Sequence, residues 1–329
     1  MNICVTGASG FIGQRLVYSL CEQGHSVTIL SRRECQNEMP LGVNIINGDL
    51  TSETCPLDLF LDKCNVIINC AGELNNTAKM EALHVEGTQK LIQAALKQTE
   101  QRGNKIHWIQ LSSVGVYGPV NGKANSERVI TEDTPIQPKG EYEQTKAQAD
   151  KLVIQAAESS LLTYTIIRPS NVFGQGMPNG ALRALAGTVR KGLFFYIGYL
   201  KTVSTYVHVD DVIALLVLCL SDSNAKGEVF NISNDCLLEE MIEGIAMILN
   251  VKHPWLRLPE ALVRALVWLM QGIIKSPLSQ AAINSMVART SYPTLKLKQR
   301  LDFTPQISVS MSMNDVIQDK NNNVRKMEL

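Results

Sequence analysis

The chain runs to 329 residues, long enough for one large domain or two coupled ones. Its 31 Lys and Arg balance 31 Asp and Glu, so the formal net charge is zero. That argues against nucleic acid or an acidic membrane as a partner, since both call for a basic excess. With 45% hydrophobic and 19% charged residues, the composition is that of an ordinary soluble globular protein.

Eight cysteines, at 4, 21, 35, 55, 64, 70, 219 and 236, are scattered without a C-x-x-C pair. They read as reduced thiols, several of them small core residues, and their spacing offers no metal site. No signal peptide precedes the first apolar run, so a cytoplasmic protein is expected. No segment reaches the roughly 18 to 20 apolar residues of a membrane span.

In chain order, residues 3–5 read as a buried strand, too short for a helix. Gly7, Gly10 and Gly13 follow at once, and a helical pattern over 11–23 stops at Gly24. Between strand and helix, such glycines make a tight turn, let a phosphate approach the backbone and pack helix on strand. Further strands are expected at 26–30, 43–47, 65–69, 106–111 and 163–167, and helices at about 78–101 and 142–159. This alternation predicts an α/β fold, a Rossmann-type doubly wound parallel sheet whose ligands bind beyond the carboxyl ends of the strands.

Those ends carry chemistry. The second strand ends at Arg32 and Arg33, where an acidic residue would suit NAD, and the pair suits the extra 2′-phosphate of NADP. NADP(H) is therefore favoured, with NAD(H) the alternative. Asp49 and Leu50 close the third strand, and the fourth ends in the small residues Cys70, Ala71 and Gly72. Ser112 and Ser113 end the fifth. Tyr142 and Lys146, four apart on a predicted helix, share one face, where an ammonium and a positive nicotinamide ring would stabilise a phenolate. Ser113 would hold the reacting oxygen. The arrangement suits hydride chemistry at a carbonyl or carbinol.

These motifs resemble the extended short-chain dehydrogenase/reductases of the NAD-dependent epimerase/dehydratase type. The likeness rests on residues 6–13, on Gly48-Asp49-Leu50, on residues 112–118, on Glu132-Asp133-Thr134-Pro135 and on residues 142–146. It continues through residues 168–174 and 208–212, with a looser match at 301–305. The resemblance implies Ser113, Tyr142 and Lys146 as the catalytic set. It places the pyrophosphate at Gly7, Gly10, Phe11, Ile12 and Gly13, the adenine at Asp49 and Leu50, and further cofactor contacts at Ala71, Gly72, Pro169 and Ser170. Two departures stand out. His84 replaces the family's usual Asn, and Ser204 stands where nucleotide-sugar epimerases carry a diphosphate-gripping arginine, which leaves either Lys191, Lys201 or Arg183 as substitutes or a substrate without a diphosphate.

The second half is expected to be looser: helices over 181–191, 237–249 and 261–274, a strand at 228–232, and a frayed polar tail from 321. Asp210 and Asp211 read as N-caps of a buried helix. The helix at 261–274 reads as an amphipathic helix on the body of the protein, with peripheral membrane contact or a dimer seam as alternatives, and Trp255 and Trp268 as core or as an apolar substrate entrance. The domains expected are 1–169, with 205–236 returning to it, for cofactor, and a smaller, mostly helical substrate domain over 170–329.

The functional expectation is an NAD(P)-dependent 4-keto reductase or epimerase of a nucleotide sugar, working as a homodimer without a metal. The alternatives are a reductase or dehydrogenase of apolar ketones of hydroxysteroid or dihydroflavonol type, and a non-catalytic NAD(P)-binding regulatory protein.

Overall fold

The computed structural model describes residues 1–119, 127–178, 180–270 and 280–317. Seven strands form one parallel sheet: β1 (Asn2–Thr6), β2 (Ser26–Ser31), β3 (Asn44–Asn47), β4 (Val66–Asn69), β5 (Ile106–Leu111), β6 (Leu162–Pro169) and β7 (Glu228–Ile232). Their spatial order is β3-β2-β1-β4-β5-β6-β7, so the direction of winding reverses between β1 and β4. A crevice opens at that reversal, beyond the strand ends, and the glycine loop leaves β1 there.

The strands are apolar on both faces because helices cover both. Ile3 and Val5 of β1 pack with Leu16, Val17 and Leu20 of α1 (Phe11–Glu22), and with Val212 and Leu216 of α5 (Val209–Leu218). On the other face Cys4, Ile67 and Trp108 meet Leu91, Ile92 and Ala95 of α2 (Gly87–Arg102) and Val153 of α3 (Glu141–Ala157). All six residues of β5 are buried, as a central parallel strand requires.

Outside the sheet, α4 (Ala181–Arg190) and α6 (Leu238–Leu249) share a second core through Leu182, Ala186, Val189, Met241, Ile242 and Ile245. A smaller core joins α7 (Glu260–Met270) to Ile197 through Val263 and Val267. Among the described residues no helix is long and apolar enough to cross a membrane. The polar tail from 321 and the continuation of the 261–274 helix beyond 270 lie outside the described residues.

Three expectations need correcting. The helix expected over 78–101 is broken by a wide π turn at Glu81–Glu86 between a short helix, Thr77–Met80, and α2. That turn carries His84, and one extra residue per turn is a device found often at functional sites. Asp210 and Asp211 do not cap α5. The His208 side chain does, accepting from Asp210 N–H, while Arg15 pairs with Asp210 at 3.0 Å. Asp211 instead accepts from the N–H groups of Gln306 and Ile307 at 2.9 and 3.0 Å, which fastens the late chain to the sheet. Trp255 and Trp268 are not core: they are 85% and 68% exposed.

Candidate active site

The glycine loop is shaped by what it excludes. Gly7 sits at φ +68°, which side-chain-bearing residues rarely adopt, and a Cβ there would lie 2.5 Å from the carbonyl oxygen of Cys70. A Cβ on Gly13 would run into the Gly7 carbonyl, and one on Gly10 would come within 3.2 Å of it. The N-terminus of α1 has no side-chain cap, so the first-turn N–H groups of Phe11, Ile12 and Gly13 are available to an anion. The residues therefore fit a dinucleotide pyrophosphate.

Across the crevice, α3 presents Tyr142 and Lys146 one turn apart. Lys146 is buried, and its Nζ donates to the carbonyl of Leu111 at 3.0 Å and, at 3.4 Å, to that of Ala71. Two of its three donors thus tie α3 to the ends of β5 and β4. Ser113 sits at the end of β5, where its Oγ accepts from Gly115 N–H at 3.1 Å and caps a short turn, Val114–Tyr117. Gly72 closes the floor, and a Cβ added there would stand 3.7 Å from Lys146 Nζ.

Burial, aided by the Asp150 carboxylate, pushes the Tyr142 phenol up to about 12, and burial lowers Lys146 while Asp150 opposes that shift. The protein's own groups therefore hold Tyr142 as a neutral phenol, a proton donor, rather than as a phenolate.

Beneath this set lies a buried network that local spacing does not reveal. Asp150, the next residue along the Tyr142–Lys146 face, accepts from Arg168 Nε at 3.1 Å and Nη2 at 3.0 Å, and from Ser112 Oγ at 2.9 Å. Arg168 also donates to Tyr117 Oη at 3.0 Å, and Tyr117 donates to Asn231 at 2.9 Å. The network joins α3, β5, β6 and β7.

His84 is the other residue whose role needed the structure. Its Nε2 accepts from Glu73 N–H at 2.8 Å, so the ring proton lies on Nδ1, which faces Thr145 Oγ1 at 2.8 Å. That hydroxyl in turn donates to the carbonyls of Glu141 and Tyr142 at 3.0 and 3.1 Å. The His84 ring meets Tyr142 edge-on at 5.6 Å, and burial, with the Lys146 charge, lowers its pKa to about 3. The imidazole is neutral, with both nitrogens engaged.

A profile of the NAD dependent epimerase/dehydratase family matches residues 3–233. The chain belongs to that family. As a member it is a nicotinamide-dependent enzyme of the extended short-chain dehydrogenase/reductase type. It is 27% identical over 265 residues to a UDP-glucose 4-epimerase of Vibrio cholerae, covering 77% of each chain. It is 26% identical over 291 residues to a decarboxylating sterol-4-alpha-carboxylate 3-dehydrogenase of Dictyostelium discoideum, covering 83% of this chain and 85% of the other. The fold is that of UDP-glucuronic acid 4-epimerase from Bacillus cereus in complex with NAD, at a TM-score of 0.76 and 18% identity, over 99% of this chain and 98% of that one.

Within the family frame the two arginines after β2 part company. Arg33 pairs with Glu38 at 2.8 Å, whereas Arg32 is exposed and acts on Asp49 through its charge. Burial opposes it, but hydrogen bonds from Thr51 N–H and Oγ1, at 2.9 and 2.8 Å, hold Asp49 below the usual carboxylate range. Leu50 is buried against Gly87, where a Cβ would lie 2.9 Å from it. Pro169 ends β6, and Ser170 Oγ accepts from Ser233 Oγ at 2.7 Å. At the arginine position of the epimerases, Ser204 is buried and lies in a two-residue strand paired with Cys236–Leu237. Of the three substitutes, Arg183 donates to the Met177 carbonyl at 3.1 Å, and Lys191 and Lys201 are exposed.

Proposed function

We propose that the protein moves a hydride to or from a secondary alcohol or keto carbon of a nucleotide sugar, as a 4-keto reductase or an epimerase. The observation that carries this reading is Lys146, one turn after Tyr142 on α3, whose Nζ holds the Ala71 and Leu111 carbonyls at the ends of β4 and β5, two residues before Ser113 and opposite a loop that excludes side chains. The likeness to the Vibrio cholerae epimerase supports the substrate class.

A bound nicotinamide supplies the hydride donor or acceptor. Tyr142, a neutral phenol, gives its proton to the carbonyl oxygen in reduction and takes one back in oxidation. Because Ser113 Oγ accepts from Gly115, its own proton is free to point at the substrate oxygen and stabilise the charge that develops there. Lys146 keeps one donor beyond the two carbonyls, and that donor would hold a ribose hydroxyl of the cofactor. Exposed Arg32, rather than the paired Arg33, would hold the 2′-phosphate of NADP(H), the favoured cofactor. Residues 170–329, apart from 205–236, shape the substrate side.

The test is a panel of UDP-, GDP- and dTDP-sugars, with nicotinamide absorbance and product stereochemistry followed in parallel. Turnover of at least one sugar, lost in Tyr142→Phe with cofactor binding intact, is the expected result. If no sugar nucleotide binds or turns over while apolar ketones are reduced, the substrate class is wrong.

A second reading, an apolar ketone or carbinol, is favoured by one specific observation: Ser204 is buried where the diphosphate arginine would stand. The likeness to the sterol dehydrogenase over 83% of the chain supports it. The same panel separates the two.

A further inference from the structure

The chain's zero net charge conceals an uneven distribution. Residues 190–201 and 252–270 form one lobe, because the short strands Tyr196–Ile197 and Arg257–Leu258 pair in parallel and α7 packs on Ile197. These two segments contain six cations (Arg190, Lys191, Lys201, Lys252, Arg257 and Arg264) and one carboxylate, Glu260, a balance of +5. Arg257 pairs with Glu239 at 2.7 Å and Arg264 with Glu260 at 2.8 Å. The other four cations are exposed and lack an acidic partner among the described residues.

The same lobe exposes large apolar side chains. On α7, Val263 and Val267 face inward while Leu262, Leu266, Trp268 and Leu269 are 48%, 46%, 68% and 60% exposed. Trp255 and Tyr199 stand out at 85% and 68%. Large apolar side chains on a helix are ordinarily covered, and where they stand exposed on one lobe with unpaired cations they mark an interaction surface.

We infer that this lobe docks on an anionic lipid surface. Tryptophan and leucine would enter the headgroup boundary, with Arg190, Lys191, Lys201 and Lys252 meeting the negative headgroups. A second copy fits the surface poorly, because a two-fold contact would set the four unpaired cations of each lobe against those of the other. The docking is peripheral, through side chains at the interface, and needs no spanning helix. It is independent of which substrate the active site takes.

The experiment uses the full chain and two kinds of vesicle, phosphatidylcholine alone and phosphatidylcholine with phosphatidylserine. Trp108 is fully buried, so tryptophan emission reports changes at Trp255 and Trp268. We expect co-sedimentation with the anionic vesicles, a blue shift in emission, and affinity for neutral vesicles lower by about tenfold or more. Arg190→Glu with Lys252→Glu removes the preference for anionic lipid, and Trp255→Ser with Trp268→Ser removes the binding. Circular dichroism melting confirms that both variants stay folded. Three outcomes overturn the inference: no binding to either vesicle, binding unaffected by both double variants, or a dimer in buffer that the tryptophan variant splits.

Discussion

His84 Nδ1 lies 2.8 Å from Thr145 Oγ1, which joins the π turn after β4 to α3 one residue before Lys146. Since Nε2 holds Glu73 N–H at 2.8 Å, one imidazole fastens the loop carrying Ala71 and Gly72 to the helix carrying Tyr142. His84→Ala removes the acceptor of the Glu73 N–H and the imidazole bond to Thr145 Oγ1 and is expected to cost about 1–3 kcal/mol of stability, with kcat reduced. His84→Asn, which can replace one bond, recovers part of both; urea unfolding and steady-state kinetics measure this.

The same residue sets a pH dependence. Burial, with the Lys146 charge, holds the His84 imidazole down to about 3 in the fold, against about 6.5 for a free histidine. Its unfolded form therefore binds the proton first as pH falls, so its contribution is full above 6.5 and is lost progressively toward 3. From pH 6.5 to pH 5 the loss is about 2 kcal/mol. His84→Asn lacks this titration, so its unfolding free energy falls less over that interval; equal slopes for the two proteins would contradict a buried, neutral His84.

Asp150 and Arg168 are 1% and 3% exposed and paired at 3.0 Å, with the buried Lys146 ammonium a second, weaker charge acting on Asp150. Asp150→Asn or Arg168→Met alone leaves one buried charge unpaired and is expected to cost about 3–5 kcal/mol. The double variant loses less than the sum, a coupling that a double-mutant cycle in denaturant reads directly.

Two glycines offer an internal control. Gly7 and Gly103 share nearly the same φ, +68° and +72°, but only Gly7 has atoms in the way of a Cβ. Gly103→Ala should cost about 1–2 kcal/mol from conformation alone. Gly7→Ala should cost more and abolish nicotinamide binding by calorimetry, while Gly103→Ala binds normally.

For the cofactor, Arg32→Ala should weaken NADPH more than NADH, and Arg33→Ala should leave the ratio unchanged because Arg33 is already paired with Glu38. Unchanged ratios in both would remove the basis for favouring NADP(H).

Much of this was legible in the chain because it is local. The strand, glycine and helix order around Gly7, and the four-residue spacing of Tyr142 and Lys146, follow from geometry within a few turns. The Tyr117–Asn231 bond spans 114 positions and the Asp150–Arg168 pair joins a helix to a strand, so neither has a spacing to read. Helical periodicity shows an apolar face only where a polar one opposes it. Because α7 is apolar nearly all round, Trp268 read as core and stands exposed. The cap of α5 was misassigned for a related reason: two adjacent aspartates suit a cap, but their partners, Arg15 and the N–H groups of Gln306 and Ile307, lie far along the chain.

The edge strand β7 has a bearing on synthesis. Residues 228–232 pair along β6 from Thr165 to Pro169, so the sixth strand stays uncovered until some sixty further residues have been made. Ile166 and Ile167, fully buried in the finished sheet, lie on that open edge meanwhile. A ribosome stalled before residue 232, or a protein truncated there, would present a sticky strand to other nascent chains. Chaperone demand should therefore peak in the middle of translation and fall once β7 has emerged.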